Sequence, residues 1–139
     1  MLMFSPRRDE QRAQALLTKI ANHHCTQVHW LHEGPREELR VPLTMAVYVV
    51  PCIHGQPQVD LATACVTKEI ATRGIAVTMP EPFAFDEALV GMSWEGQMWW
   101  MHTQVRHVSP LGAGIWQVGL QIGKLLEPHA YGALKNLVI

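Results

Sequence analysis

A chain of 139 residues, 48% hydrophobic and 17% charged, is sized and balanced for one domain around a single core. Its formal net charge of −1 supplies no global basic field for duplex nucleic acid or an anionic membrane, so any anion site must be built locally. No stretch approaches the roughly 20 apolar residues of a membrane span, which argues against membrane insertion.

The start, Met1 to Arg8, lacks the apolar run of a signal peptide. Cys25, Cys52 and Cys65 are odd in number and form no C-x-x-C pair, which fits reduced thiols in a cytoplasmic protein. Ser5-Pro6 reads as an N-cap with proline at the first helical position. Ala13, Leu16, Leu17, Ile20 and Ala21 then recur at helical spacing, so a helix is expected from Pro6 to His24. Its apolar stripe needs a partner surface: either the body that follows, as a lid or brace, or a second copy in a homodimer. Glu33-Gly34-Pro35 breaks the chain before the next segment.

From Val41 the texture changes to strands. Val41, Leu43, Met45, Val47 and Val49 make an apolar odd-numbered face. Pro51 to Pro57 carries turn chemistry. Further strands are expected over Val59–Thr67, Ile75–Thr78 and Leu89–Trp94, with Glu95-Gly96 as a tight hairpin turn. On the next strand Trp99, Met101, Thr103 and Val105 face one way, and His102, Gln104 and Arg106 the other. After a turn over Ser109–Gly114, Trp116, Val118, Leu120 and Ile122 alternate with Gln117, Gly119 and Gln121. Short strands punctuated this way argue a small antiparallel barrel or sandwich, and Pro128 opens a short C-terminal helix through Asn136.

Two segments carry candidate chemistry. Arg36-Glu37-Glu38-Leu39-Arg40 places two arginines four apart in a segment expected to be irregular. Arginine clamps phosphate through two parallel charge-assisted hydrogen bonds, and it also stacks on a purine or bonds the O6/N7 edge of guanine. About thirty residues on, Glu69-Ile70-Ala71-Thr72-Arg73-Gly74 reads as a turn. There Glu69 offers a carboxylate to guanine N–H groups, and Gly74 a positive-φ or close-approach position. The bland alternative is a solvated charged stretch, since Glu37 and Glu38 sit between the arginines.

Arg36-x-x-x-Arg40 running into Val41-Pro42-Leu43, then Glu69 to Val77, then Trp116-Gln-Val-Gly-Leu-Gln-Ile122, resembles the PilZ domain family over roughly residues 34–126. The resemblance implies a mainly β fold: a six-stranded antiparallel β-barrel, with an N-terminal helix and linker over 1–33 and a C-terminal helix or tail over 127–139. PilZ domains bind the bacterial second messenger cyclic di-GMP through an RxxxR motif before the first strand and a [D/N]xSxxG motif after the second. The resemblance therefore implies a ligand set of Arg36, Arg40, Glu69, Ala71, Arg73 and Gly74. Glu69 stands where the family has Asp or Asn, keeping an acceptor and adding a methylene. Ala71 stands where the family has Ser, which removes one hydroxyl hydrogen bond, roughly 0.5–1.5 kcal/mol or up to about tenfold in affinity. Thr72 and Arg73 are the neighbours able to compensate.

His23, Cys25, His29 and His32 cluster in the linker as N and S donors that zinc accepts, but their spacing matches no defined metal signature, so a polar linker is the competing reading. Trp94, Trp99, Trp100 and Trp116 fall on expected strands. Adjacent Trp99 and Trp100 must face opposite sides, one of them towards the core and the other a candidate surface contact. No nucleophile elbow, HExxH, Walker motif or paired carboxylates occur, so no enzyme and no cofactor is expected. The PilZ resemblance implies a cyclic di-GMP receptor that passes its signal to a protein partner as the RxxxR linker orders around the ligand. The alternative is a degenerate PilZ-like adaptor that binds a protein partner without nucleotide.

Overall fold

Period-two alternation along the middle of the chain closes into a barrel in the computed structural model, which describes the backbone of residues 6–24, 30–33, 36–127 and 130–139. A helix, α1 (Pro6–His24), precedes nine strands: β1 (Trp30–Glu33), β2 (Arg36–Val41), β3 (Ala46–Ile53), β4 (Gln56–Pro57), β5 (Thr63–Ala71), β6 (Gly74–Met79), β7 (Glu87–Trp94), β8 (Gln97–Gly112) and β9 (Ile115–Leu125). The sheet order β5-β6-β9-β8-β7-β3 is closed by pairing of β3 with β5, giving six antiparallel strands in a ring. Closure removes the exposed edges that an open sheet of this size would carry.

Residues facing inward alternate as the sequence predicts. Val47 and Val49 on β3, Ile75 and Val77 on β6, Val90 and Met92 on β7, and Val118 and Leu120 on β9 share one buried cluster. The helix stripe joins it: Ala13, Leu16, Leu17 and Ile20 are buried against the barrel, chiefly on β9. The stripe is therefore covered by the protein's own barrel. Ser5, the expected N-cap, lies outside the described residues.

Thr67 resolves a break that the sequence hides. The apolar face expected to run unbroken from Val41 to Val49 is split between β2 and β3, with residues 42–45 in neither strand. The buried Thr67 hydroxyl donates to the Leu43 carbonyl and accepts from the Met45 amide, and the Thr67 amide donates to the Met45 carbonyl. These bonds replace part of the missing ladder and give partners to the Leu43 carbonyl and to both backbone groups of Met45.

Among the described residues, three two-residue turns have positive φ at both positions: His54-Gly55, Glu95-Gly96 and Ala113-Gly114. This is the turn chirality that matches strand twist. β3 accordingly runs to Ile53 and β8 to Gly112, further than the turn-rich composition of Pro51–Pro57 and Ser109–Gly114 suggests. The strand expected at Val59 begins at Thr63, because Val59–Leu61 form a 3-10 turn. The expected C-terminal helix is likewise a five-residue 3-10 turn, Gly132–Asn136. Its i→i+3 bonds, Leu134 to Tyr131 and Leu137 to Leu134, tighten the chain so that Leu134 is buried.

Leu134 belongs to a second, smaller cluster on the outside of the barrel, with Val50, Cys52, Leu89 and Trp100. Trp99 and Trp100 do face opposite sides. Trp99 packs against the barrel interior, while Trp100 is 8% exposed on the outer face, stacked on Tyr48 at 6.5 Å. The Trp100 ring occupies the space where a side chain at Gly91 would begin, 2.6 Å from an ideal Cβ. Trp100 is thus closed off, whereas Trp99 is half-buried and lines a groove beside α1 with Leu16 and Trp94.

The described cysteines are held as thiols. Burial pushes Cys65 up to about 12, and burial with the nearby Glu87 carboxylate pushes Cys52 up to about 11, from an ordinary 9.0. Both are therefore protonated at neutral pH and poor nucleophiles. Cys52 and Cys65 are expected to resist iodoacetamide at pH 8 in the folded protein and to react on unfolding. Because ionisation is disfavoured in the fold, stability is expected to fall as pH rises beyond about 9, with no such penalty below. Among the described residues no helix is long and apolar enough to cross a membrane.

Candidate functional site

Two β-bulges on opposite sides of the β6–β9 pair shape the most distinctive groove of the barrel surface. On β5 the register with β6 shifts between Thr67 and Glu69, so Lys68 is the extra residue. On β8 the register with β9 shifts between Val105 and His107, so Arg106 is extra. A bulge breaks strict alternation and re-aims side chains. Here it keeps Thr67 and Ile70 inside while Lys68 is exposed and Glu69 faces the groove. On β8 it leaves both Arg106 and His107 exposed between the inward-packed Val105 and Val108.

The two walls are joined by one transverse row of paired residues. Glu69 on β5 stands opposite Ala76 on β6, Ala76 opposite Gly119 on β9, and Gly119 opposite His107 on β8. Ala76 and Gly119 give this row a low floor. The His107 ring stands directly over Gly119, with its Cε1 2.1 Å from where a Cβ would sit. The groove encloses ≈ 410 Å³ and is also lined by Ala71, Arg73 and Gly74.

Hydrogen bonds across the strands fix the polar rim. Lys68 Nζ donates to Gln117 Oε1 at 2.9 Å, spanning β6. Arg106 Nε donates to Gln121 Oε1, which orients the guanidinium along β9. Arg73 occupies the turn between β5 and β6, and its carbonyl accepts from the Ile122 amide at 2.8 Å, latching the turn to β9. The groove thus gathers Arg73, Arg106 and the flanking Lys68 against one carboxylate, Glu69. Such a surface suits an anion that also presents hydrogen-bond donors.

The residues singled out in the sequence come together in part. Glu69, Ala71, Arg73 and Gly74 line this groove. Glu69 and Ala71 are not in a turn, as their composition suggests; they end strand β5, and only Thr72 and Arg73 make the bend. Gly74 has no positive φ, and close approach is what favours it, because a Cβ there would lie 3.0 Å from the Leu120 carbonyl, a tight contact. Ala71 is 9% exposed.

Arg36 and Arg40 lie on strand β2, in place of the irregular segment expected. In the ladder Arg40 stands opposite Ala71 and Val41 opposite Ile70. Arg36 stands opposite Glu33 at the far end of the β1–β2 hairpin. The backbone therefore brings the end of the arginine motif beside the second motif. Of the histidine cluster, Cys25 and His29 lie outside the described residues, and His32 is placed only as a backbone position on β1. His23 packs edge-on against Trp94 with ring centroids 5.0 Å apart. Among the described residues no group of three or more His, Cys, Asp or Glu is arranged to hold a metal.

Arg106, His107, Gln117, Gly119 and Gln121 complete the groove and were not singled out as ligand residues. Their alternation along β8 and β9 places all but His107 on the outer face. Only the bulge, which leaves no mark in composition, brings His107 to the same side as Arg106.

No protein-family model matches the chain, and no curated protein matches it in sequence. Among solved structures the barrel is similar to the Bacillus subtilis inhibitor of motility MotI/DgrA, with a TM-score of 0.51 and 14% sequence identity. The likeness covers 76% of this chain and 48% of that one, so this chain spans about half the length of that protein. At that identity the similarity is one of fold.

Proposed function

We propose that this barrel is a receptor for cyclic di-GMP, acting as a binding module and not as a catalyst, and that the groove on β5, β6, β8 and β9 is its site. The observation that carries this reading is the ladder pair between Arg40 and Ala71. It joins two sequence elements some thirty residues apart at one groove, as the PilZ resemblance requires. In this reading Arg36 and Arg40 clamp phosphate and guanine, Glu69 accepts from guanine N–H groups, Arg73 replaces the missing serine contact, and Gly74 lets the chain approach closely.

The signal would travel through β2. Among the described residues that strand meets the barrel at two ladder positions, Arg40 and Val41, and its remaining pairs are with β1. A ligand held by the arginines stabilises the docked hairpin by its differential affinity for that state and draws on the chain that leads back to α1. A protein partner would read that change.

Alanine at 71 favours the second reading, an adaptor that engages a protein partner without nucleotide, because the position carries no hydroxyl for a ligand. Isothermal titration with cyclic di-GMP separates the two. Wild type is expected to bind, and Ala71→Ser to bind up to about tenfold tighter as the missing hydrogen bond is restored. Absence of heat from folded wild type at ~100 μM ligand, about −5.5 kcal/mol, would sink the receptor reading.

A further inference from the structure

We infer that the β8 bulge, Arg106 with His107, is a second ligand-binding wall that selects an extended two-ended ligand over a single phosphate; this rests on the receptor reading above. Glu69 and His107 end the same four-strand row. Three inter-strand steps separate them, roughly 14 Å along the sheet. A lone phosphate at the Arg73 turn cannot touch both ends. A dinucleotide can place one guanine edge on Glu69 and its other phosphoguanosine half on β8.

The chemistry of the two ends differs accordingly. Glu69 is an acceptor for a donor-bearing base edge. At the other end Arg106 uses Nε on Gln121, and its two terminal nitrogens have no partner among the described residues. That is the half of the guanidinium fork suited to a phosphate or to the O6/N7 edge of a purine. His107 offers a flat imidazole standing over the bare backbone of Gly119. Gly119 is what lets the ring sit there, since any side chain at 119 would collide with it.

The wall is tested by titrating cyclic di-GMP into wild type, Arg106→Gln and His107→Ala, with thermal unfolding of each as the check on folding. Arg106→Gln is expected to weaken binding about 10-fold or more, and His107→Ala by about 3- to 10-fold, with little change in stability because both side chains are exposed. In ¹⁵N spectra of wild type, the Arg106 Nε–H and His107 ring signals are expected to shift on ligand addition. If wild type binds but both variants bind equally well and neither signal moves, the second wall is wrong and the receptor reading stands. If wild type does not bind, the receptor reading fails and the wall falls with it.

Discussion

Leu17→Ala is expected to cost the fold about 3 kcal/mol, read as a lower urea midpoint with an unchanged slope. Leu17 is fully buried on α1 in the same cluster as Ile70, Ile75 and Leu120. Truncation therefore loses transfer energy and leaves a cavity that rigid strands cannot fill. The size of the effect carries a functional point. Were α1 an independent appendage waiting for a partner, Leu17→Ala would be close to silent, because an exposed leucine contributes little. A large loss instead makes the helix part of the barrel's own core, and any signal through it must alter that packing. Lys19→Ala, on the exposed face of the same helix, is the control and is expected to stay within about 0.5 kcal/mol of wild type.

Much of this architecture is legible in the sequence because two periodicities dominate it. The helical spacing of Ala13, Leu16, Leu17, Ile20 and Ala21 places α1 and its buried face. The alternation at Trp116, Val118, Leu120 and Ile122 places β9, although Trp116 itself is only half-buried. What escapes is tied to single hydrogen bonds and register. Thr67 looks like any strand threonine, yet its hydroxyl bridges the break between β2 and β3. Glu69 and Ala71 look like turn residues because Arg73-Gly74 follow, yet the β2 and β6 ladders claim them. The candidate site divides in the same way. Its motif half is visible in Arg40, Glu69 and Gly74, whereas its β8 half depends on a bulge at Arg106.

For function, Arg40→Ala has the largest expected effect: a loss of roughly 10- to 150-fold in cyclic di-GMP affinity, the worth of one charge-assisted hydrogen-bonding group. The ladder pairing of Arg40 with Ala71 is a backbone pairing, which alanine at position 40 can also make. A binding defect without a shift in unfolding midpoint would thus assign Arg40 to the ligand. Arg40→Lys sharpens the test: it keeps the charge and removes the planar fork, so most of the loss should persist if the contact is bidentate. Equal binding by wild type and both variants would detach the arginine motif from the groove. The pairing of Arg40 with Ala71 would then be only a feature of the barrel, and the adaptor reading would have the stronger claim. Loss in Arg40→Ala together with loss in Arg106→Gln would instead place ligand contacts on two elements flanking the β5–β6–β9 surface, β2 and β8. A ligand gripped from both can couple the β1–β2 hairpin to the barrel, which a phosphate bound at one arginine cannot do.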